Sequence, residues 1–178
     1  MKIENLDTSG DHFSYENGVR AISIEDGVSL VTGSSASFGG DCSQGSAIYA
    51  TSAPLTVLNT KFVSNHGVCR KNTLNSGGTV RLEGACGGSV FTNCLFVGNS
   101  DRCGWDKEQG LHGGAIVLTM SDKSAAAEFV NCTIAYNLAD GKTSPGGINV
   151  YTGTVNMKNS IVFGNVAGGY TAGCGREV

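Results

Sequence analysis

Apolar and polar residues alternate along most of this chain in short runs, and the runs recur in sets. The clearest set ends in the pattern x-Asn-[Thr/Cys/Ser]-x-[Phe/Ile/Val]-x-x-Asn, which occurs four times, at 58–65, 92–99, 130–137 and 158–165. The first asparagines of successive copies lie 34, 38 and 28 residues apart. A period of this size is typical of a protein built from stacked structural repeats.

Two further strands are predicted in each repeat. The segments 46–50, 78–82, 114–118 and 146–150 alternate with period two, as strands with one buried face do. A second strand follows each of them, and the asparagine pattern begins a third. Four columns of residues are predicted to face the core: Ile48, Val80, Ile116 and Ile148; Ala50, Leu82, Leu118 and Val150; Val57, Phe91, Phe129 and Met157; Phe62, Phe96, Ile134 and Val162.

Three short strands cannot enclose a core by themselves, but repeats stacked in parallel register can. The pattern therefore predicts an all-β fold, a right-handed parallel β-helix of roughly five coils with three short strands per coil. We expect an N-terminal entry or cap segment at 1–18, the β-helix at 19–167 and a C-terminal tail at 168–178. A β-propeller would need four strands per blade, and a leucine-rich repeat would need a helical leg.

The asparagines form two predicted ladders along the stack. Asparagine tolerates the left-handed backbone region and bonds to nearby backbone, and stacked copies can pair amide to amide. We interpret both columns as turn architecture and not as ligand sites. The outer asparagine column is Asn59, Asn93, Asn131 and Asn159, and the inner asparagine column is Asn65, Asn99, Asn137 and Asn165.

The seven cysteines suggest a secreted or surface protein, because this number is high for a cytosolic domain. Cys94 and Cys132 share an inward position with Thr60 and Ser160, so we expect two buried free thiols there. Cys69 and Cys103 each follow an inner-column asparagine by four residues, in predicted loops, and they are the disulfide candidate. The spacing names no partner for the remaining three: Cys42, Cys86 and Cys174.

Composition excludes some classes of partner. The net charge is −3, which gives no reason to expect nucleic acid. No run approaches the roughly 18 apolar residues of a membrane span, and the first residues lack the apolar core of a signal peptide. We therefore predict no nucleic-acid partner and no membrane span in this chain.

The repeat resembles a known family. The Gly-Gly-Ala-Ile segment at 113–116, with weaker forms at 77–80 and 45–48, occurs together with Phe-x-x-Asn at 62–65 and 96–99. This combination resembles the polymorphic outer-membrane-protein repeats of autotransporter passengers, and more broadly the right-handed β-helix surface proteins of bacteria. The third and fourth copies depart from it, with Ile134 and Val162 in place of phenylalanine. The resemblance implies an extracellular passenger-type β-helix used in adhesion or display.

A carbohydrate enzyme is the alternative, because right-handed β-helices also resemble polysaccharide lyases. A lyase groove stacks several charged side chains on one outward face, which bind a uronate directly or through calcium and abstract a proton. The column predicted to face outward has one arginine and no carboxylate: Tyr49, Arg81, Val117 and Asn149. No catalytic residue and no metal ligand set is predicted from it.

The segment 101–112 is the richest in chemistry. Trp105 could stack on a sugar ring while Asp106 and Glu108 hydrogen-bond to its hydroxyls or act as acid and base. Alternatively, the tryptophan covers the side of the stack and the charges solvate the loop. Together with Arg81, these three residues form the candidate glycan site.

The function predicted from the sequence is a non-catalytic extracellular or cell-surface β-helix module for adhesion, display or assembly. The alternative is a polysaccharide-binding or polysaccharide-cleaving protein. We expect no cofactor, with calcium expected only for the carbohydrate enzyme. The predicted partners are other protein chains, through the open ends of the stack, or host and cell-surface ligands that include glycans.

Overall fold

The computed structural model describes the chain in segments. It describes the backbone of 2–3, 22–24, 30–32, 37–38 and 41–42, followed by 47–69, 78–103, 113–139 and 145–167. Side chains are described for 47–50, 52–65, 78–100, 113–139 and 145–167. Within these segments the regular structure consists of strands, and none of them is helical.

The strands form four parallel sheets, numbered here in the order in which the repeats from β2 onward pass through them. Sheet 1 contains Ile22–Ile24 (β2), Ile48–Thr51 (β6), Val80–Gly84 (β10), Ile116–Met120 (β14) and Ile148–Thr152 (β18). Sheet 2 contains Lys2–Ile3 (β1), Leu30–Thr32 (β3), Leu55–Leu58 (β7), Ser89–Thr92 (β11), Ala126–Val130 (β15) and Thr154–Lys158 (β19). Sheet 3 contains Ser37–Phe38 (β4), Lys61–Val63 (β8), Leu95–Val97 (β12), Thr133–Ala135 (β16) and Ile161–Phe163 (β20). Sheet 4 contains Asp41–Cys42 (β5), His66–Cys69 (β9), Ser100–Cys103 (β13), Leu138–Ala139 (β17) and Val166–Ala167 (β21).

Each strand pairs with the equivalent strand of the next repeat. Phe96 pairs in register with Phe62 on one side and with Ile134 on the other. The predicted parallel stacking of repeats in an all-β protein is confirmed by this pairing. The predicted number of three strands per repeat is wrong, because sheet 4 adds a fourth. Its strands have two to four residues and no apolar alternation, so their sequence resembles that of a loop.

The predicted inward columns form the core. The side chains of Phe62, Phe91, Phe96 and Phe129 are fully buried. Phe62 stacks on Phe96 with ring centroids 4.5 Å apart, and Phe91 stacks on Phe129 at 4.8 Å. The two stacks meet edge to face, with 6.0 Å between the rings of Phe91 and Phe96. Stacking equivalent residues of successive repeats thus produces one continuous aromatic core.

The core columns become exposed in the last described repeat, residues 146–167. Val150, Met157 and Val162 are 42%, 38% and 52% exposed, although the residues in register with them one repeat earlier are fully buried. Among the described residues no further strand pairs with this repeat. In the described part of the chain, the core side chains of this repeat are therefore left exposed.

Close packing between repeats accounts for the glycine at position 114, which precedes the sheet 1 strand β14. A Cβ atom at this position would meet the carbonyl oxygen of Gly146 and would lie 2.8 Å from the carbonyl oxygen of Leu138. The same Gly146 oxygen accepts the backbone N–H of Ala115 at 2.9 Å. Successive repeats can approach this closely only where the side chain is absent.

Candidate functional site

The predicted outward column lies across sheet 1. Arg81 pairs in register with Tyr49 of the preceding repeat and with Val117 of the next, and Val117 pairs with Asn149. These residues alternate with buried members of the core columns, so their side chains point away from the core. The face is therefore continuous over four repeats, as predicted.

Arg81 is buried although it lies on this outward face. Its side chain is 1% exposed, and its Nε and Nη2 atoms lie 3.0 Å from Oε2 of Glu83. The same oxygen accepts a hydrogen bond from the Tyr49 hydroxyl at 2.9 Å. The guanidinium carbon also lies 5.9 Å from the centroid of the Tyr49 ring. Tyr49, Arg81 and Glu83 thus form one polar cluster.

Sequence reasoning missed Glu83, because it considered only the column that contains Arg81. A residue two positions along a strand points to the same face, and this rule was the available signal. Three donor groups share one oxygen of Glu83, so this oxygen is already engaged by Tyr49 and Arg81. The cluster therefore resembles a structural ion pair more than a catalytic group.

The other predicted glycan-site residues, Trp105, Asp106 and Glu108, lie outside the described residues. That these three residues lie close to Arg81 stays a prediction. Among the described side chains, no three His, Cys, Asp or Glu residues come together in a group that could hold a metal ion.

Backbone pairing gives the relative positions of the two cysteines of the disulfide candidate. Cys69 and Cys103 are register partners in β9 and β13, so they lie in strands of sheet 4 and not in loops as predicted. Register partners on neighbouring strands lie about 4.8 Å apart, within the Cα range of disulfides. Their side chains are outside the described ones, and the bond stays a prediction.

Cys94 and Cys132 are buried free thiols, as predicted. The Cys94 thiol donates to the carbonyl oxygen of Thr92 at 3.3 Å, and the Cys132 thiol donates to that of Val130 at 3.4 Å. A hydrogen bond to Cys132, together with burial, raises the pKa of Cys94. Cys86 is a third buried free thiol, and burial raises its pKa. Cys86 and Cys94 are therefore neutral members of the core, whereas the hydrogen bond from Cys94 lowers the pKa of Cys132 to about 7.

The inner asparagine column is an amide ladder. Asn65, Asn99 and Asn137 are fully buried, and each donates its backbone N–H and its Nδ2 to Oδ1 of the next asparagine. The side chains of Asn99, Asn137 and Asn165 also donate to backbone carbonyl oxygens of the preceding repeat. The ladder has a direction, since the Oδ1 atoms of Asn99, Asn137 and Asn165 each accept from the repeat before them.

The outer asparagine column has a different role. Its four members are exposed, and they have φ between 47° and 54°, the left-handed turn conformation expected for them. Asn93 donates to Asn59 at 3.0 Å. In the inner column the left-handed residue is the preceding one, such as Ser64 or Tyr136. The left-handed turn residue is thus the asparagine itself in the outer column and the residue before it in the inner column.

Comparisons with protein-family models, with curated proteins and with solved structures found no match for this chain. Within the described residues, no helix is long and apolar enough to cross a membrane.

Proposed function

We propose that this chain is a right-handed parallel β-helix that acts as a non-catalytic structural module at a cell surface or outside the cell. The proposal rests on the outward face of sheet 1, where the charged side chains already bind one another. Its one arginine and the carboxylate beside it are bound to each other and to Tyr49.

The repeat architecture supports the β-helix. The chain passes through the four sheets in the same order in each repeat, and parallel crossovers are right-handed in nearly all proteins. The hydrogen bonds of the inner asparagine column and the aromatic stacks join every repeat to the next. A scaffold of this kind presents its variable segments at fixed positions along one axis.

Several features support a role in display, adhesion or assembly. In the sequence, segments without the repeated pattern occur between the described strands at 70–77, 104–112 and 140–144, and the second of these contains Trp105, Asp106 and Glu108. On a rigid scaffold, binding residues are commonly found in such segments. The proposed partners are other protein chains or surface ligands, glycans among them. The seven cysteines of the sequence support an oxidising, extracellular location.

The carbohydrate enzyme is the second candidate. The gathering of Tyr49, Arg81 and Glu83 on one outward face favours it, because polysaccharide enzymes on this fold use such faces. The burial of Arg81 and the engagement of Glu83 count against it.

Two measurements test the proposed function. The purified chain is incubated with uronate polysaccharides, with and without calcium, and cleavage is followed by new reducing ends and by ultraviolet absorbance of unsaturated products. We expect no turnover, and turnover that is lost in Glu83→Gln would overturn the proposal. A glycan-binding screen of the chain and of a Trp105→Ala, Asp106→Asn double variant then tests display by the 104–112 segment. Loss of binding in the double variant would support that role, and equal binding by both would count against it.

A further inference from the structure

The last repeat carries an unusual concentration of exposed apolar side chains. Eight large hydrophobic residues are exposed among the described side chains, and seven of them belong to this repeat: Val150, Tyr151, Met157, Ile161, Val162, Phe163 and Val166. The eighth, Tyr136, packs edge to face against Phe163 with ring centroids 5.7 Å apart. Such a concentration of exposed apolar side chains is typical of a site of protein association.

The same surface has unpaired strand edges. β18, β19, β20 and β21 are the terminal strands of their sheets in the described part of the chain, so all four sheets end at one level. Open edges beside an exposed core favour pairing with another strand. We propose that β19, Thr154–Lys158, pairs antiparallel with β19 of a second copy and closes this end of the stack in a twofold dimer.

β19 can pair with its own copy without placing like charges opposite each other. When the two strands are centred on Asn156, all five residues pair, and Val155 of each copy faces Met157 of the other on the core side. On the outward side Thr154 faces Lys158, and Asn156 faces its own copy. No like charges oppose each other in this register, which is the condition for stable cross-strand pairs.

β19 is a better pairing edge than β18. The register between β14 and β18 shifts after Leu118, so that Thr119 pairs with Thr152. Such an irregularity blunts an edge. In contrast, β15 and β19 pair without interruption from Ala126 with Thr154 to Val130 with Lys158.

Sedimentation velocity of the 178-residue chain over a range of concentrations tests the proposal. We expect a reversible monomer–dimer equilibrium. Thr154→Glu places a carboxylate opposite Lys158 of the second copy and should lower the dimer Kd roughly fivefold, counting two exposed ion pairs per dimer. Thr154→Lys places like charges there and should raise the Kd by a similar factor.

Thr56 provides the matched control. It lies on the outward face of the same sheet, in β7, which is bordered on both sides by paired strands. Thr56→Glu and Thr56→Lys make the same charge changes away from the edge, and neither should change the Kd.

Three results would overturn the dimer. These are a monomer at all concentrations, oligomers that continue to grow beyond the dimer, and the same response to both charges at Thr154. The inference rests on the proposed scaffold, because it uses the same stack of repeats. The two fail separately: a folded monomer with native circular dichroism removes the dimer alone, whereas polysaccharide turnover removes the non-catalytic role alone.

Discussion

Asn99 donates two hydrogen bonds to a single atom, Oδ1 of Asn137, from its backbone nitrogen at 2.9 Å and from its Nδ2 at 2.8 Å. Both side chains are fully buried. Asn137 in turn donates through Nδ2 to the carbonyl oxygen of Phe96 and to Oδ1 of Asn165. One carboxamide thus serves three successive repeats, and no other side chain of similar size offers both an acceptor and two donors at this position.

Replacing Asn137 with alanine should destabilise the fold strongly. The substitution leaves the buried N–H groups of Asn99 and the carbonyl oxygen of Phe96 without this partner, at about 1–3 kcal/mol for each group. We expect a loss of about 4 kcal/mol in the free energy of unfolding, measured by urea titration. Asn131→Gly is the control, because Asn131 is exposed and glycine retains its left-handed turn, and it should change stability by less than about 0.5 kcal/mol. Equal effects of the two variants would contradict the structural role of the inner asparagine column.

Cys132→Ser should be tolerated. Ser160 occupies the same column one repeat later and donates to Lys158 and Phe129 carbonyl oxygens at 2.9 and 3.2 Å. Cys132 donates to the equivalent oxygens, those of Val130 and Phe91. We expect Cys132→Ser to cost less than about 1 kcal/mol, and Cys132→Leu to cost about 1–3 kcal/mol through overpacking. Thermal unfolding of both variants decides this, and a larger loss for serine than for leucine would contradict it.

The Arg81–Glu83 pair should respond unequally to the loss of its two members. Glu83→Ala leaves a buried guanidinium without its carboxylate, whereas Arg81→Met leaves a carboxylate that is one-third exposed. We expect Glu83→Ala to cost about 2 kcal/mol, less than for a fully buried pair because water reaches Glu83, and Arg81→Met to cost less. Urea titrations of both single variants and the double variant test this order. A double variant less stable than either single variant would show that the two residues act separately.

Gly164→Ala tests the contact between the last two repeats. A Cβ atom at Gly164 would lie 2.8 Å from Cδ1 of Tyr136, and the residue has φ of 62°. The clash and the left-handed backbone should together destabilise the variant by about 2 kcal/mol. Adding Tyr136→Gly removes the clash and a second left-handed side chain, so the double variant should recover about half of the loss. No recovery in a double-mutant cycle would place the cost in the backbone alone.

Cys69 and Cys103 should form a disulfide in oxidised protein. Their register pairing brings the two Cα atoms to about 4.8 Å, within the range of disulfides. Peptide mapping of protein alkylated under non-reducing conditions should recover the two cysteines in one linked pair. Cys69→Ser and Cys103→Ser should lower the unfolding temperature in oxidised protein and have little effect in reduced protein. Both thiols alkylated in air-oxidised native protein would contradict the bond.

Much of the fold followed from spacing alone. The recurrence of x-Asn-x-x-[Phe/Ile/Val]-x-x-Asn placed Phe62, Phe96 and Ile134 in one column, and the structure pairs them in register. This inference succeeds because a parallel stack places equivalent residues of successive repeats above one another, so a sequence period becomes a spatial neighbourhood. It says little about the candidate glycan site, whose residues lie outside the repeated pattern.

The sequence by itself determined the repeats, the inward columns, the two asparagine columns and the free thiols Cys94 and Cys132, because each depends on contacts between equivalent positions. Only the tertiary structure decided the fourth sheet, the burial of Arg81 against Glu83, the direction of the amide ladder and the exposure of the core columns within residues 146–167. The strands of sheet 4 have no alternation of their own, and they form because the neighbouring repeats offer backbone partners. The burial of Arg81 and the exposure of Val162 depend on what surrounds each position, which a local pattern does not specify.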